Sequence, residues 1–282
     1  MTVLQAAILG VVQGLSEFLP ISSSGHLILV PWLFDWDHVL ADESFNKTFD
    51  VALHIGTFVG AAFYLRRDVG ALIRDWFSSV RARAVDTPER RLAWYVVLSV
   101  IPAALLGALA ESTITEKLGE PWQIAVLLAV FGVVLWWVDR SARQETHYAE
   151  ISGRQAVAMA AGQALALAPG VSRSGITMTC GRAMGLTRDA AARFSFVISL
   201  PVTLGAAVYK GAGLIGETDP LRGQGTQFAV GIVTSGITGA FAVWGLLAFL
   251  RRYSTGVFAA YRVLAAAVVL VVITTGARAA TI

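Results

Sequence analysis

Gln13 to His26, QGLSEFLPISSSGH, is polar chemistry set inside apolar sequence, and the reading of the fold turns on it. A second stretch, Gln163 to Thr177, QALALAPGVSRSGIT, resembles it. In both, a Gln is followed by an apolar run, then Pro, then Ser-x-Ser-Gly, with the Gly 12 residues after the Gln. The apolar runs on either side, 3–16 and 26–34 around the first motif, fall short of the roughly 20 residues that span a bilayer. Pro and the Ser-Gly run break the helix between them. Two half-length helices around a polar break read as a re-entrant hairpin, since non-helical backbone at membrane depth is tolerated only where protein or a water-filled cavity surrounds it. Residues 155–168 and 175–186 repeat the pattern. The expectation is that the two hairpins meet inside a membrane and form one active site.

The surrounding composition agrees. The chain has 282 residues, 56% of them hydrophobic and 15% charged, against about 25% charged in a soluble domain. The apolar residues come in long runs, which predict spans at 49–65, 93–110, 121–138, 193–209, 227–250 and 257–276. The basic balance is no nucleic-acid signal, because the arginines cluster in short loops between spans, a topological pattern. The single cysteine, Cys180, excludes an internal disulfide. MTVLQAAILG lacks a charged n-region and is expected to stay in the mature protein.

Placing the 66–91 loop, which holds seven Arg, in the cytoplasm puts 15 basic residues inside and 5 outside, and that bias sets the orientation. The first hairpin then enters from outside and the second from the cytoplasm. FDVALHIGTFVGAAFY (49–64) aligns without gaps on FSFVISLPVTLGAAVY (194–209). The expected fold is therefore an all-α polytopic membrane protein, one integral membrane domain over 1–282. It is an inverted-topology repeat (about 1–140 and 150–280) of six transmembrane helices plus two re-entrant helical hairpins.

The chemistry sits in the motifs. Gln13 and Glu17, four residues apart, share a helix face, and a carboxylate at membrane depth is costly unless paired or functional. An amide oxygen and a carboxylate suit Mg²⁺ or Ca²⁺. Ser22, Ser23, Ser24 and Gly25 precede a helix whose free N–H groups favour an anion, and Ser172, Ser174 and Gly175 do the same in the second half. Arg173, between two serines at a break, is placed to grip a phosphate or to pair with Glu17. His26 follows the Ser run as a candidate acid/base or nucleophile. His54 and Asp50, one turn apart on the next helix, are weaker candidates. His38 and His147 lie in loops, and Cys180 has no evident role. The constellation is that of a phosphate site open to a membrane, for a lipid-borne substrate.

At these residues the chain resembles the bacitracin-resistance family of undecaprenyl-diphosphate phosphatases. The (Glu/Gln)-x-x-x-Glu element stands as Gln13 to Glu17, SS(S/T)GH as Ser22 to His26, and PGxSRSGxT as Pro169 to Thr177. The resemblance implies hydrolysis of the terminal phosphate of undecaprenyl diphosphate, carrier recycling for peptidoglycan and bacitracin resistance. It also implies a divalent cation (Mg²⁺ or Ca²⁺) held by Glu17 and Gln13, and a site opening to the outer face of a bacterial plasma membrane. Glu17, Ser23, His26 and Arg173 would be catalytic. Ser22, Ser24, Gly25, Ser172, Ser174, Gly175 and Thr177 would bind the phosphates. Gln13, where many members carry Glu, leaves one negative charge fewer around the cation. Ser23, His26 or a water activated by His26 remain open as nucleophile, with Ser23 attacking and His26 as its base the favoured assignment. The expected partners are the polyprenyl diphosphate and membrane lipids, with no nucleic acid, and a homodimer is an assembly the sequence leaves open. A transporter or flippase of a polyprenyl phosphate is the rival reading, because inverted repeats and broken helices also serve transport.

Overall fold

The computed structural model describes residues 1–36, 39, 43–212 and 221–282. His38 and the centre of the Gly-rich stretch before residue 225 lie outside the described residues. Helix α1 (Val3–Phe18) starts in a capping box between Thr2 and Gln5 and stops two residues before Pro20. After the break, α2 (Ser23–Leu33) has 11 residues, about 16 Å of helix, which is half a hydrocarbon core. Further along, α8 (Gly153–Ala164) and α9 (Arg173–Ala183) repeat this arrangement around Pro169.

The remaining α-helices among the described residues are α3 (Glu43–Tyr64), α4 (Arg66–Ala82), α5 (Pro88–Leu98), α6 (Val100–Leu118), α7 (Pro121–Ser141), α10 (Arg188–Ala212), α11 (Gly225–Leu250) and α12 (Gly256–Thr274). Among the described residues, five spans are long and apolar enough to cross a membrane: Pro88–Ala110, α7, α10, α11 and α12. The first of these joins α5 to α6 through a break at Ser99, just before Pro102. Helix α3 qualifies only together with α4, into which it bends by 83°. The protein is a multi-pass, all-helical membrane protein.

One expectation is corrected here. Residues 66–91 are not a loop. Val69, Leu72, Ile73, Trp76, Phe77 and Val80 recur at helical spacing and fold as α4, and the seven arginines obscured that period. Trp76 packs edge-on against Phe77 and tilts against Trp94 of α5. Arg193 of α10 holds Asp68 at 2.6 Å. Ile73, Phe77 and Val80 stay exposed.

Helix α11 packs tightly on both α1 and α3, and α7 packs on α12. Gly10 and Gly14 of α1, and Gly56 and Gly60 of α3, face α11 so closely that a methyl group at any of them would collide with α11 backbone. Such small-residue faces let membrane helices approach where no hydrophobic drive exists between apolar surfaces. The 49–64 and 194–209 segments, alike in sequence, pack against each other as parts of α3 and α10. The two breaks are thereby clamped back to back in the interior.

Candidate active site

The site begins with two serines in one unusual conformation. Ser22 (φ 78°) and Ser172 (φ 74°) both cap their helices from left-handed backbone, and each side chain accepts from the N–H of the glycine three residues on, Gly25 or Gly175. Positive φ costs a non-glycine residue of order 1–3 kcal/mol unless its surroundings fix it. Here they do. Gly170 N donates to Ser22 Oγ at 3.0 Å, and Ser174 Oγ donates to Leu19 O at 3.0 Å, so each break is stitched to the other. The N–H groups of Ser23, Ser24, Arg173 and Ser174 have no partner among the described residues. They are the orphan donors that every helix start leaves.

Glu17, buried in the last turn of α1, lies between these two starts. Its Oε2 accepts from Ser23 Oγ at 2.6 Å and from Gln13 Nε2 at 3.1 Å. Its Oε1 accepts from Arg173 of the other hairpin. His54 Nε2 of α3 lies 3.6 Å from Oε2. Four side chains from three separate segments thus converge on one carboxylate, and a serine hydroxyl donating to a buried carboxylate has its base in place.

The structure rearranges several expected roles. Ser23 is paired with Glu17, whereas His26 is engaged elsewhere. Nδ1 of His26 lies 2.7 Å from Ser22 O, and Nε2 lies 2.8 Å from the Tyr261 hydroxyl. A carbonyl only accepts, so Nδ1 carries a proton, and the favoured Ser23–His26 pairing is absent. Arg173 meets Glu17, the alternative weighed beside phosphate binding. Thr177 turns into its own helix, donating to Arg173 O at 2.7 Å, and meets Ser195 of α10 at 2.6 Å. Ser22, Ser172 and Ser174 are occupied in capping and stitching, while Ser24 Oγ is exposed, with Ser22 Oγ 3.5 Å away. Gly25 and Gly175 form the first turns, where a Cβ at Gly25 would come 3.0 Å from Ile124.

Gln13 is fully buried, and with its amide nitrogen on Glu17, its Oε1 has no partner. No group of three or more His, Cys, Asp or Glu gathers among the described residues. An orphaned amide oxygen beside a carboxylate fits a hard cation of the Mg²⁺ type, which takes few protein ligands and completes its shell with water and phosphate oxygens.

Two residues outside both motifs complete the surroundings. Tyr261 and Arg262 of α12 reach His26 and the two breaks, respectively. The signal was available for Arg262, since an arginine in the middle of an apolar span marks a functional position by default. Tyr261 carried no such signal.

Residues 6–268 match the family model described as "Bacitracin resistance protein BacA". The chain is 45% identical over 277 residues to a protein of Pelobacter propionicus, an alignment covering 98% of this chain and 99% of the other. It is 42% identical over 272 residues to one of Moorella thermoacetica (96% and 98%). It is 40% identical over 281 residues to one of Thermomicrobium roseum (97% and 99%). All three relatives carry the name undecaprenyl-diphosphatase.

Proposed function

The chain belongs to the bacitracin resistance protein family, and from that premise we propose how its site works as an undecaprenyl-diphosphatase. The enzyme removes the terminal phosphate of undecaprenyl diphosphate, giving the monophosphate carrier for envelope polymers and conferring bacitracin resistance. The observation that carries the reading is the Ser23–Glu17–Arg173 chain, which exists only because both hairpins meet.

Ser23 Oγ attacks the terminal phosphorus as Glu17 takes its proton. The bond from phosphorus to the bridging oxygen breaks, and the lipid monophosphate leaves. Water then attacks the phosphoserine and releases inorganic phosphate. Arg173 exchanges its bond to Glu17 for the incoming phosphate oxygens, which frees Glu17 to act as base. The free N–H groups of both helix starts hold the phosphate charge that develops. His54 stays beside Glu17, its Nε2 3.6 Å from Oε2. A divalent cation held by Glu17 and Gln13 Oε1 would supply charge neutralisation on the diphosphate.

The reading extends to topology. Equivalent helices pack as pairs, α3 with α10 and α7 with α12, and the Ser22 and Ser172 turns match in backbone angle. These support two inverted halves with six spans. The bias of 15 basic residues against 5 supports the orientation in which the first hairpin enters from outside, and membership of the family supports a site opening to the outer face. A flippase would need both helix starts and Arg173, but not a serine hydrogen-bonded to a buried carboxylate.

The test is phosphate release from a C15 or C55 polyprenyl diphosphate by protein in detergent, where no membrane barrier exists. Release that requires Mg²⁺ or Ca²⁺ and stops with EDTA is expected. A folded protein that releases nothing overturns the hydrolase reading.

A further inference from the structure

Arg262 is fully buried in the middle of the fold. Its Nη1 donates to Pro20 O in the first break at 3.2 Å, and its Nη2 to Gly170 O at 2.7 Å and Val171 O at 3.1 Å in the second. Its Nε donates to Leu128 O of α7 at 3.0 Å. Every one of these partners is a neutral carbonyl. Other buried or half-buried arginines have a carboxylate: Arg173 has Glu17, and Arg182 and Arg188 share Asp139. Among the described residues, no carboxylate pairs with Arg262.

Carbonyl dipoles solvate a cation but do not cancel its charge. A buried charge without a counter-ion is costly in protein and more so at membrane depth, and in low dielectric its field reaches further. Its position matters as much. A Cβ at Gly175 would come 3.0 Å from Arg262 Nη1, so the guanidinium lies against the first turn of α9. The bond to Pro20 O places it beside the start of α2 as well. By holding the carbonyls of both breaks, it keeps the free N–H ends of both helices aimed at the space between them.

We infer that Arg262 is a positioning residue for the diphosphate: it holds both re-entrant breaks in register and its uncancelled charge is the counter-ion for the bound phosphates. The inference rests on the hydrolase reading of the same site.

The full chain in detergent with Mg²⁺ would be assayed on a C15 polyprenyl diphosphate for kcat and KM, with inorganic pyrophosphate as a competitor. Arg262→Gln is expected to raise KM and the pyrophosphate inhibition constant by about ten-fold or more. Arg262→Lys keeps the charge and loses the fork, so it is expected to recover most of the affinity while kcat stays low. A merely structural staple would lower the folded fraction of both variants and leave both constants unchanged in the folded protein, and that result overturns the proposal. If Arg262→Gln does not fold, Gly175→Ala displaces the guanidinium from α9 and is read by the same criterion. Pyrophosphate affinity is also measured by titration calorimetry. An inactive wild type would therefore sink the hydrolase reading, while equal pyrophosphate affinity in wild type and variant would sink this one.

Discussion

Glu17 is the residue on which the site depends, because it is the acceptor for Ser23, Gln13 and Arg173 together. In the proposed mechanism Glu17 is the base, so Glu17→Gln, which keeps the shape, is expected to lower kcat by about 10²–10⁴-fold. Stability is expected to fall as well, because half-buried Arg173 loses its carboxylate partner, so kcat is compared per folded molecule. On the same mechanism Ser23 supplies the attacking oxygen, so an acid-quenched turnover on labelled diphosphate is expected to trap phosphoserine at residue 23 in wild type and nothing in Ser23→Ala. Phosphohistidine in that experiment would refute the assignment. His26 shows how far sequence adjacency misleads. It lies three residues from Ser23, yet its two ring nitrogens are taken by Ser22 O and Tyr261. The motif was legible as chemistry, but which atom faces which was decided by helix rotation.

Two elements carry predictions of their own. The second break turns through Gly170 at φ +100°, where a Cβ would lie 2.8 Å from Ile124 O of α7. Gly170→Ala is expected to cost about 1–3 kcal/mol, read as a lower melting temperature in detergent, with activity lost in proportion to the distorted break. Helix α4 leaves α3 at 83°, with Ile73, Phe77 and Val80 exposed and Arg67, Arg74 and Arg81 along the adjoining face. That is the build of a helix lying in the headgroup plane. Spin labels on Phe77→Cys and Arg74→Cys, whose native side chain is 74% exposed, in a Cys180→Ser background, are expected to report lipid-side oxygen access at 77 and aqueous access at 74. Equal aqueous access at both would mean the helix stands off the bilayer. Its helical period is present in the sequence, but seven arginines between residues 66 and 91 interrupt the apolar pattern that would mark it.

At the scale of the whole molecule, the far ends of four helices are tied by one carboxylate. Asp139 of α7 accepts from Arg182 of α9 at 2.8 Å, from Arg188 of α10 at 2.9 Å and from the N–H of Thr255 just before α12 at 3.1 Å. Breaking a buried pair from one side costs about 3–5 kcal/mol, because the partner charge stays buried. Asp139→Asn is therefore expected to lower thermal stability sharply while leaving kcat per folded molecule near wild type, as Asp139 touches none of the groups around Glu17. Unfolding followed by tryptophan fluorescence, alongside phosphate release, separates the two effects. A kcat that fell as far as the stability would instead couple this cluster to the site.

The sequence by itself determined the class of the protein and the two polar segments that meet in its interior. Spans follow from apolar length, and breaks follow from Pro and Ser-Gly, because backbone and solvation preferences act locally. The convergence of Gln13–His26 with Gln163–Thr177 was legible too, since polar breaks inside apolar sequence need polar partners and each motif supplies them to the other. Tertiary structure alone decided that Glu17 rather than His26 holds Ser23, that Thr177 packs against Ser195, and that Arg262, some 90 residues beyond the second motif, ties both breaks. These outcomes depend on which donor reaches which acceptor across packed helices. That is set by rotations and distances between elements far apart in the chain, on which local sequence preference has no hold.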